Sequence, residues 1–377
     1  MISVLGFLPL LTWLYLLIGR GFFWLGRERD DDTLPAPPDW PAVTAVVPAR
    51  DEADVIARAI ASLLAQDYPG RFRVVLVDDQ STDATAAIAG ALGGDRLDGL
   101  SGAPRPSGWT GKLWAVKQGI AHATAQGAPD YLWLSDADIA HAPDSLRQLV
   151  ARAERDGLVL TSLMAKLHCK TFAERLLVPA FVFFFAMLFP FAWVNDGRRP
   201  IAAAAGGCML VRRDALEKAG GIDSIRHEII DDCALARRLK AQGPIWLGLT
   251  NRCVSLRPYQ KIGDIRRMVA RSAYAQLSYS PLRLAGAVLG MALVYASAPL
   301  AAIFAAEPAQ LAGIAAWAAM VLAFQPMLRF YRLSPLWGLA LPPIGGLYAA
   351  FAVDSAIQHW RGRGGMWKGR AQAMGKA

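Results

Sequence analysis

Hydrophobic and polar positions divide the chain into three regimes. From Ile2 to Ile18 nearly every position is apolar, which predicts a helix anchored in a bilayer, whose hydrocarbon core takes about 20 residues to cross. From Val43 the pattern changes to short apolar runs separated by helical stretches. Strands are expected up to Val47, over Val74–Val77 and from Tyr131 into Asp136, and helices after Asp51, from Thr82, from Lys112 and from Pro143. Short, near-continuous apolar strands alternating with helices predict an α/β fold: a doubly wound, mainly parallel sheet with helices on both faces. Ligands of such sheets bind beyond the carboxyl ends of the strands.

After Ser280 the oily pattern returns. Leu284–Phe304 and Leu311–Phe324 predict two spanning helices. A third apolar region, Leu336–Ile357, contains Pro342-Pro343 and Gly345-Gly346, and a re-entrant or interfacial helix pair is expected there. A full crossing would put Arg361, Arg363, Lys368 and Arg370 outside, against the tendency of basic residues to stay on the cytoplasmic side. The stretch Leu176–Val194, rich in phenylalanine, interrupts the middle regime. It predicts a helix dipping into one leaflet and broken at Pro190, with a buried core helix as the alternative.

Composition narrows the class. A net charge of +9 together with 54% hydrophobic residues in 377 points to a lipid bilayer as partner and not to nucleic acid. Arg20, Arg27 and Arg29 follow the first apolar run without an Ala-x-Ala cleavage site, so a retained anchor with the next domain in the cytoplasm is expected. Asp30-Asp31-Asp32 and the stretch Pro35–Pro41 read as an extended linker. The expected organisation is an anchor over 1–24, a linker over 25–42, and a cytoplasmic catalytic domain over 43–280 carrying the interfacial helix 176–194. Membrane helices over 281–358 and a basic cytoplasmic tail over 359–377 complete a multi-pass protein of the inner membrane. Cys169, Cys208, Cys233 and Cys253 show neither metal-ligand spacing nor a disulfide framework, and reduced, mostly buried thiols are expected.

The chemistry gathers at the predicted strand ends. Asp136 and Asp138 follow the apolar run Tyr131–Ser135. Crowded carboxylates repel unless a cation lies between them, and hard oxygen ligands suit Mg²⁺ or Mn²⁺ with a phosphate-bearing substrate; a helix cap is the plainer alternative. The first strand leads into Pro48-Ala49-Arg50-Asp51-Glu52 and the second into Asp78-Asp79, where carboxylates can accept hydrogen bonds from a base or ribose. Ser81 or Thr82 can cap the next helix, and capping or exposure is expected of Asp83. In Gly108-Trp109-Thr110-Gly111-Lys112 a glycine-flanked loop leads into a helix bearing a lysine, which suits a diphosphate.

These elements, followed by Ser135-Asp136-Ala137-Asp138, resemble the family 2 glycosyltransferases in order and spacing, over roughly Val43–Leu277. The resemblance implies a GT-A type nucleotide-sugar fold. Ala205-Gly206-Gly207-Cys208 looks like the family's glycine-containing segment beneath donor sugar and acceptor. Asp231-Asp232 matches its acidic pair, with Asp231 in the usual Glu place and Asp232 as the implied catalytic base. Asp138 would bind the metal, and Asp136 would contact ribose or assist the metal. Pro48, Arg50, Asp51, Glu52, Asp78, Asp79 and Lys112 would bind the donor. Where processive relatives carry Gln-x-x-Arg-Trp, the chain has Met268-Val269-Ala270-Arg271-Ser272, so Arg271 remains as a phosphate or acceptor-site residue or as part of an interfacial basic helix. The anchor, the phenylalanine-rich insert and Gly365–Arg370 look most like the hopanoid-biosynthesis-associated glycosyltransferases, relatives of ceramide glucosyltransferase. The implied activity is inverting transfer of a UDP-linked sugar to a membrane lipid acceptor. Transfer to a polyprenyl phosphate or polysaccharide is the alternative, and an inactive nucleotide-sugar-binding scaffold is the non-enzymatic one.

Overall fold

Strand β1 (Val43–Ala49) runs between two parallel neighbours, β2 (Phe72–Asp78) and β4 (Tyr131–Ser135), and is buried at all seven positions. A strand covered on both faces has no polar side to alternate with, which is why its sequence reads as one apolar run. The computed structural model describes residues 6–367, 370 and 371. They form two compact units, one of Glu28–His168 with Trp193–Pro258, the other of Cys169–Ala192 with the described residues among 1–27 and 259–377.

The first unit holds an eight-stranded sheet. Its further strands are β3 (Leu97–Ser101), β5 (Ile139–His141), β6 (Leu160–Lys166), β7 (Cys208–Arg212) and β8 (Ile245–Ser255), in the order β3-β2-β1-β4-β7-β6-β8-β5. All neighbours pair parallel except β7, antiparallel to β4 and β6, and β5, antiparallel to β8. The carboxyl ends of β1, β2, β4, β6 and β8 therefore share one edge. The core lies between sheet and helices, with Val47, Ile60, Val74, Trp133 and Leu163 among its buried members. Helix Gly111–Ala125 crosses β1 and β2 at Gly119, where a Cβ would come 2.5 Å from Val46 Cγ1. The bare backbone permits that approach.

Two local expectations shift. The helix expected from Thr82 begins at Thr85, because the Asp83 carboxylate accepts hydrogen bonds from the Thr85 and Ala53 N–H groups and holds the preceding turn out of the helix. The start of the expected linker is also not a free connector. Asp30 N–H donates to the Leu249 carbonyl, Leu249 N–H donates to the Glu28 carbonyl, and the buried Asp30 carboxylate lies 3.2 Å from Arg252. An ion pair and two strand-like hydrogen bonds dock this segment beside β8.

The second unit is helical. Helix Phe172–Leu188 opens with a reciprocal cap: Glu174 N–H donates to Thr171 Oγ1, and the Glu174 carboxylate accepts from Thr171 N–H. It ends before Phe189-Pro190, since the residue ahead of a proline is pushed out of the helical region. Its rings pack within this unit, Phe183 on Phe23 and Phe324 at 5.2 and 5.1 Å and Phe184 on Tyr348 at 4.9 Å. The helix thus belongs with the other apolar helices and not to the α/β core.

Pro281–Phe304, Ala309–Phe330 and Pro335–Trp360 are each long and apolar enough to cross a membrane. The interruption expected in the third does not occur: Leu341–Trp360 is one continuous helix after a 3-10 turn, Pro335–Ala340. Pro342 and Pro343 stand in its first turn, where no intrahelical N–H is needed, and Gly345 admits the ring of Tyr295, 2.6 Å from where a Cβ would lie. Among the described residues of the N-terminal apolar stretch, Leu8–Ile18 forms an 11-residue helix. The parts of the expected anchor and basic tail at residues 1–5, 368, 369 and 372–377 lie outside the described residues.

Candidate active site

Lys112 is the hub of the site. Thr110 caps helix Gly111–Ala125 by accepting from Leu113 N–H at 3.3 Å, and this fixes Lys112 in the first turn. Its ammonium Nζ lies 2.8 Å from Asp136 Oδ1 and 3.1 Å from Asp231 Oδ2. Asp136 follows the last residue of β4, while Asp231 and Asp232 open helix Asp231–Lys240. Asp232 Oδ2 accepts from Gly206 N–H at 2.9 Å, and its Oδ1 accepts from Cys233 N–H at 2.7 Å. A Cβ on Gly206 would sit 3.3 Å from Lys112 Nζ and 3.4 Å from Asp232 Oδ2. Glycine is therefore what lets lysine, carboxylate and backbone converge. Gly207 packs beside Ile139. Pro48, Lys112, Asp136, Gly206 and Asp231 line one cleft at the carboxyl edge of the sheet.

A second ion-pair group borders it. Arg257, two residues beyond β8, reaches Asp138 Oδ2 through Nε at 2.9 Å and Glu52 Oε2 through Nη2 at 2.6 Å. Leu256 N–H also donates to the Asp138 carbonyl. Sequence reasoning missed Arg257, since no motif surrounds it. The available signal was a cation just past the end of an apolar strand, at the edge where parallel sheets bind ligands.

Glu52, Asp136, Asp138, Asp231 and Asp232 bring five carboxylates to the site, and Lys112 and Arg257 bring two cations. Burial, and then the charge on Asp138, push the Asp136 carboxyl above the ordinary carboxylate range in spite of Lys112. Burial, and then Asp231, push Asp232 up to about 6. For Lys112 burial favours the neutral amine, but Asp136 and Asp231 outweigh it, so the ammonium is held more firmly than usual. Hard oxygen donors in excess over fixed cations fit a divalent ion such as Mg²⁺ or Mn²⁺.

The remaining expected residues occupy the adjoining β1–β2 edge. Arg50 is buried, with Nη1 donating to the carbonyls of Asp79 and Gln80 at 2.5 and 2.9 Å. Asp51, at φ 49°, accepts from Thr82 N–H at 2.7 Å. Asp78 accepts from Ser81 N–H, and Asp79 is fully buried with its N–H on the Ala49 carbonyl. Arg50 and Asp51 thus shape the loop itself. Arg271 is the exposed C-cap of helix Ile262–Ala270 in the helical unit.

Residues 44–220 match glycosyl transferase family 2. Over 223 residues the chain is 27% identical to 4,4'-diaponeurosporenoate glycosyltransferase of Staphylococcus aureus, covering 58% of this chain and 57% of the relative. The chain thus spans little more than half the length of that relative. It is 38% identical over 119 residues to a succinoglycan biosynthesis protein of Rhizobium meliloti, covering 31% of each. Among solved structures, a mannosyltransferase of Pyrobaculum calidifontis in complex with GDP-Man and Mn²⁺ superposes with a TM-score of 0.55 at 20% identity, over 95% of this chain and 97% of that one. The α/β unit has a GT-A-like glycosyltransferase fold, with the match to family 2 confined to residues 44–220.

Proposed function

We propose that the protein is an inverting glycosyltransferase that moves a sugar from a UDP-linked donor to a hydrophobic membrane lipid of the hopanoid or sphingolipid-like type, with Asp232 as the base. The observation that carries this reading is Asp232 held by two backbone N–H groups, one of them from the cleft residue Gly206, beside a cleft whose carboxylates Asp136 and Asp231 are both paired with Lys112. An acceptor hydroxyl gives its proton to Asp232 as its oxygen bonds to the anomeric carbon. The bond from that carbon to the diphosphate breaks, and the diphosphate leaves with the electron pair. This displacement requires one base and no covalent step on a second carboxylate, so an α-linked donor gives a β product.

Asp138 and Asp136 would hold Mg²⁺ or Mn²⁺, which neutralises charge on the leaving diphosphate. Lys112 supplies a fixed positive charge at the same place. The edge formed by Pro48, Asp51, Asp78 and Asp79 takes the nucleoside, and Gly206-Gly207 leaves room beneath the donor sugar. Arg271 serves as a phosphate or headgroup contact.

The lipid acceptor is supported by three helices among the described residues that are long and apolar enough to cross a membrane, and by a relative named for glycosylating 4,4'-diaponeurosporenoate. A saccharide or polyprenyl-phosphate acceptor is favoured by the succinoglycan biosynthesis relative. The lack of Gln-x-x-Arg-Trp around Arg271 counts against polymer synthesis. An inactive scaffold would have no need to keep Lys112, Asp136 and Asp232 together.

Membranes bearing the protein, incubated with a panel of nucleotide sugars and extracted lipids and analysed by mass spectrometry, test the assignment. A new glycolipid that needs divalent metal is the expected result. Sugar found only on polyprenyl phosphate or polysaccharide would select the second reading, and no transfer to any acceptor would leave the scaffold.

A further inference from the structure

Behind the carboxylate turn lies a buried polar cluster that the proposed reaction does not use. His141 on β5 and Cys253 on β8 are direct cross-strand partners, and Cys208 is the first residue of β7. All three are buried: both cysteines are 0% exposed and His141 is 5% exposed. His141 Nδ1 lies 3.2 Å from Cys253 Sγ, and Cys253 Sγ lies 3.7 Å from Cys208 Sγ. One ligand atom from each of the three falls within 4.8 Å of the others.

We propose that His141, Cys208 and Cys253 bind a thiophilic d¹⁰ cation, with Zn²⁺ as its representative, at a structural site distinct from the carboxylate site. With Zn–S near 2.3 Å and Zn–N near 2.05 Å, two sulfurs on a tetrahedral ion stand about 3.8 Å apart, and sulfur and nitrogen about 3.6 Å apart. The observed 3.7 and 3.2 Å lie within a few tenths of an ångström of those edges. Soft thiolates with an imidazole select such a metal over Mg²⁺ or Mn²⁺.

The surroundings are those of a ligand set. His141 Nε2 is 2.8 Å from Ser135 Oγ. That bond can hold the tautomer in which Nε2 carries the proton and the Nδ1 lone pair faces the sulfurs. Trp133 Nε1–H donates to Cys208 Sγ at 3.3 Å, and the Trp133 ring meets His141 edge-on at 4.5 Å. Binding Zn²⁺ displaces the two thiol protons to solvent and leaves the imidazole neutral. The ion would tie together three strands that adjoin the catalytic cleft. Cys208 follows Gly206-Gly207, and His141 lies three residues after Asp138.

The full chain is purified in detergent from zinc-supplemented cells, dialysed against EDTA and analysed for metal by mass spectrometry. A second sample is exchanged with Co²⁺ and its absorption spectrum recorded. About one zinc per chain and a sulfur-to-cobalt charge-transfer band are expected. Cys208→Ser and Cys253→Ser should each retain less than a tenth of the zinc, whereas Asp138→Asn should retain all of it. If a serine variant does not fold, the cobalt spectrum of the wild-type chain decides. A folded wild-type protein with no zinc and no charge-transfer band overturns the proposal, as does a band that persists in both serine variants.

Discussion

Asp232, the proposed base, can take a proton only when ionised, and its surroundings set where that happens. Its carboxyl is pushed up from 3.8 to about 6 by burial and by Asp231, against the pull of Lys112. Below that value the ionised fraction, and kcat/KM with it, should fall tenfold per pH unit, with a plateau above it; a profile flat from pH 5 to 8 would dismiss the assignment. The sign for stability is opposite. Because the folded pKa is the higher one, this group's favourable contribution is full below about 3.8 and is lost as pH rises to about 6. Lys112 belongs to the same balance. Lys112→Met leaves Asp136 and Asp231 facing each other without their cation, which should cost about 3 kcal/mol by thermal unfolding and weaken donor binding. Asp136, Asp232, Lys112 and Gly206 were legible in the sequence because each stands in a short local motif. Arg257 and the His141–Cys208–Cys253 cluster were not, because what they meet comes from strands tens to more than a hundred residues away.

At the scale of elements, the parallel strands were readable wherever burial on both faces removes polar alternation, as in β1 and β4. The antiparallel insertion of β7 was not, since an antiparallel strand buried on both faces has the same apolar pattern. Glycine and proline misled in the last long helix, because the sequence shows neither that the prolines fall in a first turn nor that Gly345 faces a tyrosine ring. Gly119 carries the corresponding prediction for the sheet. Gly119→Ala gains helix propensity, yet its methyl would meet Val46 and Val77 at 2.5 and 3.0 Å. Overpacking should win, with a net loss of about 1–3 kcal/mol in thermal unfolding. An unchanged or raised midpoint would show that the helix can move away from β1.

On the scale of the whole molecule, the chain divides between a sheet-based unit that holds every residue of the cleft and a helical unit that holds the long apolar helices. Those helices leave Leu282, Leu300, Phe304, Leu322 and Leu336 more than half exposed, an arrangement that suits hydrocarbon better than water. The protein should therefore stay in the membrane pellet through washes with concentrated salt and alkaline carbonate. Release by salt alone would mean that its basic residues, and not its helices, hold it there. The central claim is that Asp232 takes the acceptor proton in sugar transfer to a lipid. Its most direct test compares glycolipid formation by membranes bearing wild-type protein or Asp232→Asn at equal abundance and equal donor binding. The asparagine protein should make 10²–10⁴-fold less product, the range about a general base supplies; product at the wild-type rate would contradict the account.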